Sequence, residues 1–262
     1  MNEKVSEGDS TQLPFVAPCR ILPALAPLDW VRHGWRDMWA APRQSLTYGA
    51  IVVALSLTLA TIAVRFGGYF ELMALVSGFI LVAPVLAVGT YVISIHLERG
   101  EKPSLRRCLR EEQRALGSLM VFALMLMVVF LVWARAGSAV HVFFPISEAT
   151  GWRDYLTFFG IGSAIGSIFA AVVFSVAVFS LPMLVDRKVD TVTAVVTSVN
   201  AVLRNKPAMV VWAACIVIAV APGFALLFIG RERGGGLAWI MVALGLTLPL
   251  IGHATWHGYR ET

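Results

Sequence analysis

The sequence predicts an all-α, polytopic membrane protein: six transmembrane helices in three hairpins, each hairpin preceded by an amphipathic interfacial helix. Three observations carry this reading. Of 262 residues, 58% are hydrophobic and only 14% charged, and mean hydropathy is +0.77, whereas soluble domains hold about a quarter charged residues. Six apolar runs each supply the roughly 20 residues that a helix needs to cross about 30 Å of hydrocarbon. The charges gather between those runs, and the basic ones favour alternate connections.

Residues 1–27 read as a flexible tail. Its first twelve residues are polar, and Pro14, Pro18, Pro23 and Pro27 follow at a density that disfavours the helical core of a signal sequence. Residues 28–262 read as a single six-span domain. It opens on an amphipathic helix at 29–41, with Val31, Trp35, Met38 and Trp39 on one face and Arg32, His33, Arg36 and Asp37 off it; Pro42 ends it. Spans at 45–66 and 70–97 follow, the second kinked by Pro84. The segment 104–114 is a weaker amphipathic copy, leading to spans at 116–134 and 155–185. In Thr191–Arg204, Val192, Val195, Val196, Val199, Val202 and Leu203 recur at helical spacing. Asn205-Lys206-Pro207 breaks that helix before the last spans, at 208–229 and 237–256. Inside lipid a helix satisfies its own backbone groups, so each run is helical despite its valines and isoleucines.

Sixteen Lys and Arg fall on the connections shared by both termini and five on the opposite side. Basic residues favour the cytoplasm, which places the N- and C-termini there. The amphipathic helices then lie against anionic lipid at the cytoplasmic face or form a collar beneath the bundle; the tryptophans of the first favour the lipid plane. The net charge of +5 does not indicate nucleic acid, because the basic residues mark span ends. Gly162 and Gly166 form a GxxxG pair whose small residues permit close helix packing, within one subunit before a dimer.

Chemistry is sparse. No Asp, Glu, Lys or Arg occupies the middle of a span, which weighs against ion pumping and voltage sensing. Nucleotide, zinc-protease and hydrolase signatures are absent, so no catalytic residues are assigned and no enzyme is predicted. Cys19, Cys108 and Cys215 lie far apart and indicate neither disulfides nor a zinc site. His253 and His257 share a helical face, and with His96 they could hold haem or a metal. Their position at the membrane boundary favours interfacial packing, without a cofactor. Glu98, Arg99, Asp186 and Arg187 form an expected polar cluster at the cytoplasmic face, in capping or ion-pairing roles.

Three segments together resemble a known family. They are Ala83-Pro84-Val85-Leu86-Ala87-Val88-Gly89-Thr90-Tyr91 leading to Glu98-Arg99-Gly100-Glu101; Leu181-Pro182-Met183-Leu184 with Asp186, leading to Asn205 and Met209; and Gly252-His253-Ala254-Thr255-Trp256-His257-Gly258-Tyr259-Arg260. The chain resembles, over about residues 28–260, the predicted proteobacterial inner-membrane proteins grouped as domain of unknown function 2189. The His-Ala-Thr-Trp-His stretch is the most specific part. The resemblance implies a bacterial inner membrane and a six-span fold, and it carries no catalytic residues. The residues then favour a non-enzymatic accessory or scaffold subunit with a membrane-protein partner or a second copy of itself. The alternatives are a transporter or exporter of small apolar or amphipathic molecules and a haem- or metal-binding protein.

Overall fold

The computed structural model describes residues 18–66, 86–143, 151–231 and 236–262. These residues form helices and no strand: α1 (Ala26–Ala40), α2 (Pro42–Phe66), α3 (Leu86–Glu98), α4 (Leu105–Phe143), α5 (Trp152–Ala177), α6 (Ser180–Asp186), α7 (Thr191–Arg204), α8 (Lys206–Arg231) and α9 (Gly236–Glu261). Residues 70–85 of the expected second span, including Pro84, lie outside the described residues, as do residues 1–17 of the expected tail. Three helical stretches among those described are long and apolar enough to cross a bilayer: Leu105–Val140, Leu156–Asp186 and Lys206–Gly223.

A short helix followed directly by a long apolar one, as expected for the first and third units, is seen at Ala26–Phe66 and Thr191–Arg231, and the middle differs. α1 and α2 are parted by Ala41 alone, and α7 and α8 by Asn205 alone. Pro42 starts α2 rather than ending α1, and Pro207 lies in the first turn of α8. Proline fits there because its missing N–H would have had no helical partner. The middle segment has no such proline. The expected amphipathic helix at 104–114 is therefore not separate: it runs unbroken into the third span as the 39-residue α4. The expected fourth span is instead divided, α5 ending at Ala177 and α6 beginning at Ser180. Pro182 explains the break, since it cannot donate to the carbonyl of Val178 four residues earlier.

α9 is the hub. It packs most extensively on α1 and α8, and also on α2 and α6. Backbone approaches closely where side chains are missing. A Cβ built on Gly34 would lie 2.6 Å from the backbone nitrogen of Ala254, and one built on Gly49 would collide with the carbonyl oxygen of Gly245. Burial is concentrated at the basic end of the helices, where Trp30 meets Trp212 and Phe179 edge-on, with ring centroids 5.7 and 6.4 Å apart. Further along, α4 and α5 expose Leu124, Val128, Leu131, Phe159 and Ile168.

Both amphipathic helices pack against the rest of the molecule through one face. α1 turns Ala26, Trp30, Gly34 and Met38 inward and leaves Trp35 and Trp39 outward, stacked edge-on at 5.8 Å. α7 buries Ala194, Thr197, Ser198 and Ala201, with Val192 and Leu203 more than half exposed. The small face fits inward because it must also serve the α5–α6 break. Ser198 Oγ accepts from the backbone N–H of Phe179 at 3.1 Å and donates to the Ser175 carbonyl at 2.8 Å. Asp190 caps the start of α7 by accepting from the Thr193 N–H at 2.9 Å.

Candidate functional site

The densest polar chemistry lies where α1, α2, α3 and α9 meet. Ser94 donates its hydroxyl proton to Asp37 Oδ2 at 2.8 Å. Its oxygen also lies 2.7 Å from His253 Nδ1. A hydroxyl has one proton to give, so Nδ1–H must donate to Ser94. That leaves Nε2 as an acceptor, and Ser45 Oγ donates to it at 2.9 Å. His257 Nε2 lies 2.9 Å from the same Asp37 oxygen and donates to it. The ring of His33 is 5.2 Å from that of His257. The result is a directed chain from Ser45 through His253 and Ser94 to Asp37, with Ser45, Ser94 and His253 fully buried. Burial pushes the Asp37 carboxyl up. The hydrogen bonds from His257 and Ser94, with the pull of both histidines, outweigh it and hold the group below the usual carboxylate value.

A second cluster joins α2, α3 and α4. His96 is buried, with Nε2 at 3.2 Å from Glu111 Oε1 and Nδ1 at 3.8 Å from Cys108 Sγ. Tyr48 donates its phenol to Glu112, which is itself buried. The third cluster surrounds the end of α9. Glu98 accepts from Arg260 Nη2 at 2.9 Å and from Trp256 Nε1 at 3.2 Å. Asp186 accepts from the Tyr259 hydroxyl at 2.8 Å, and Arg187 lies over the Tyr259 ring. Trp30 Nε1 donates to Glu261 at 2.5 Å.

The end of the expected tail is held here as well. The Arg20 N–H donates to the Thr262 carbonyl at 2.7 Å. Asn205 accepts from the Leu22 N–H at 2.7 Å and donates to the Arg20 carbonyl at 3.0 Å. One asparagine between α7 and α8 thus fixes the backbone 183 residues earlier.

The residues singled out from sequence fare differently. His253 and His257 join one network through Asp37, whereas His96 belongs to the second cluster. Both ring nitrogens of His253 face serine hydroxyls, and no group of three His, Cys, Asp or Glu at metal-ligand spacing occurs among the described residues. Glu98 and Asp186 both bind the end of α9, through Arg260 and Tyr259; Arg99 is exposed. A Cβ on Gly162 or Gly166 would meet no atom within 4 Å among the described residues. Sequence reading left out Ser45, Asp37, Tyr48 and Glu112 as site residues. The available signal was position: each lies on the same side of the molecule as the basic connections.

Fold and site together define a helical protein built for an apolar surrounding, with its polar groups gathered at one end. Residues 72–186 match the family model described as a predicted integral membrane protein, DUF2189, the domain that the sequence resembles. Over this segment, which runs from before α3 to the end of α6, the chain is similar to a family of predicted integral membrane proteins without known function. The match stops short of the His-Ala-Thr-Trp-His stretch in α9. No curated protein and no solved structure matches the chain.

Proposed function

We propose that the protein is a six-span accessory or scaffold subunit of a complex in a bacterial inner membrane, with both ends in the cytoplasm. One observation carries the reading: the buried polar groups of its basic end are used up on each other. Among the described residues, Trp212 Nε1 is the only buried side-chain nitrogen or oxygen without a hydrogen-bond partner. A catalyst or a coupled transporter keeps polar groups aimed at its substrate. A cross-braced end with apolar helix faces beyond it suits a part that holds others in place. The contacts of Arg20, Glu98 and Asp186 with the C-terminal segment support a single side for both termini. Cross-linking in intact membranes, followed by mild-detergent purification, is expected to recover a reproducible membrane-protein partner. Purification of the protein alone from every cross-linked preparation would rule the reading out.

A cavity of about 280 Å³ between α2, α3 and α9 favours a second reading, a carrier of small apolar molecules. Tyr48, Val52, Thr90, Leu248, Pro249 and Gly252 are among its lining residues. Filling it with Val52→Trp would then change the cellular content of some apolar compound. Unchanged profiles in both this variant and a deletion strain would remove the carrier reading.

A further inference from the structure

We propose that the basic end holds a binding site for a phosphate-bearing anion, formed by Arg20, Arg187 and Arg260. These three arginines line one cavity of about 310 Å³, with Tyr259, Thr262 and the backbone at 18–19 completing its wall. The size is at the lower end of the roughly 300–1,000 Å³ that small-molecule sites occupy. No Asp or Glu among the described residues lines it.

The arginines come from the segment before α1, the end of α6 and the end of α9, so only the fold brings them together. Like charges resist such grouping, yet each of these is held in place from behind. The Arg187 guanidinium lies 5.8 Å from the centroid of Tyr259, whose hydroxyl is itself fixed by Asp186. Arg260 lies 5.8 Å from the centroid of Trp256 and pairs with Glu98. Arg20 is fixed through its backbone, by Thr262 and by Asn205, which leaves its side chain outside that bonding. Burial pushes the neighbouring Cys19 thiol up, while Arg204 and Arg187 pull it the other way, so Arg204 adds to the same positive field. Asp186 lies 4.0 Å from the Arg187 guanidinium and Glu98 pairs with Arg260, so two of the three arginines already have one acidic neighbour each outside the cavity lining. Guanidinium groups recognise phosphate oxygens through paired, charge-assisted hydrogen bonds, and three around one cavity suit a phosphate better than a carboxylate.

The chemistry has two sources, the headgroup of an anionic phospholipid and a soluble phosphate compound. The site goes beyond the accessory-subunit reading and does not require it. The test uses the full chain, with Arg20→Gln and Arg187→Gln as site variants and Arg110→Gln as a control on exposed α4 surface. In detergent, inorganic phosphate is titrated against sodium chloride at equal ionic strength and binding is read by calorimetry. In nanodiscs, retention of phosphatidylglycerol against phosphatidylcholine is read by native mass spectrometry. Phosphate binding weakened about tenfold by either site variant, and unchanged by the control, supports a soluble ligand. Selective phosphatidylglycerol retention with the same variant pattern supports the headgroup. Binding of neither probe, the result expected if the chain already neutralises the arginines, overturns the proposal. Equal losses in site and control variants overturn it too.

Discussion

At the scale of single residues, His253 is the most consequential side chain in the buried network. It accepts from Ser45, donates to Ser94 and so connects α2, α3 and α9. His253→Ala leaves the buried Ser45 hydroxyl without its acceptor, at a cost of about 1–3 kcal/mol, while Ser94 keeps Asp37. A clear fall in the melting temperature of the detergent-solubilised protein is expected, and an unchanged melting curve would show the network to be energetically idle. Asp37 makes a separate prediction with pH. Its carboxyl is held below the usual value in the folded protein, so its contribution is present above the unfolded value of about 3.9 and is lost as pH falls through the lower folded value. Asp37→Asn is therefore expected to flatten the acid limb of stability against pH, and an unchanged limb would refute the role. Little of this was legible in the sequence. Ser45 and Asp37 are ordinary residues there, and Ser45 meets His253 across 208 positions. Periodicity tells which face of a helix a residue shares, but not which helix it meets.

At the scale of elements, proline explains the junctions only once the fold is seen, since Pro222 and Pro249 lie inside unbroken helices. Pro42 and Pro207 mark the two junctions that the fold keeps, and Pro182 marks the divided span. The faces of α1 and α7 were harder to assign, for a physical reason. In water a helix buries its bulkier apolar stripe, but beside a bilayer both sides of the helix are apolar. The inward side is then chosen by fit and by backbone groups that need partners, as at Ser198, while Val192 and Leu203 stay outward. The glycines show the same separation of pattern from contact. Gly162 and Gly166 form the recognisable motif, yet Gly49 and Gly245 make the close helix crossing. Gly49→Ala is expected to destabilise by about 1–3 kcal/mol through overpacking. Gly162→Ala is expected to stay within about 0.5 kcal/mol. Thermal unfolding of the two variants side by side decides it, and the reverse order would overturn the assignment of the crossing.

At the scale of the whole molecule, composition and run length indicated a helical membrane protein, and the family match over residues 72–186 agrees. The sidedness prediction belongs here. Reporter fusions after residue 262 are expected to be active only as cytoplasmic reporters, and fusions within 144–150 only as periplasmic ones. The opposite pattern at either point would reverse the topology. The middle unit departs from its two neighbours, because α4 continues without a break through the point where the others turn. Its arginines therefore stand on the extension of a span, whereas those of α1 lie on a separate short helix.

The pairing of α1 with α9 also sets an order of assembly. A ribosome makes α1 well before α9, yet the Trp30 and Gly34 face of α1 rests on α9, and Arg20 is held by Thr262. Until residue 236 has been translated, the first helix has been made and its main partner has not. A nascent chain therefore carries the α1 surface unpartnered while α2 to α8 are made, and α9 acts as the clasp that closes on it. Ribosomes that stop early leave a product recognisably unfinished to membrane quality control, whereas supplying the α9 segment as a separate chain is the natural means of rescuing it.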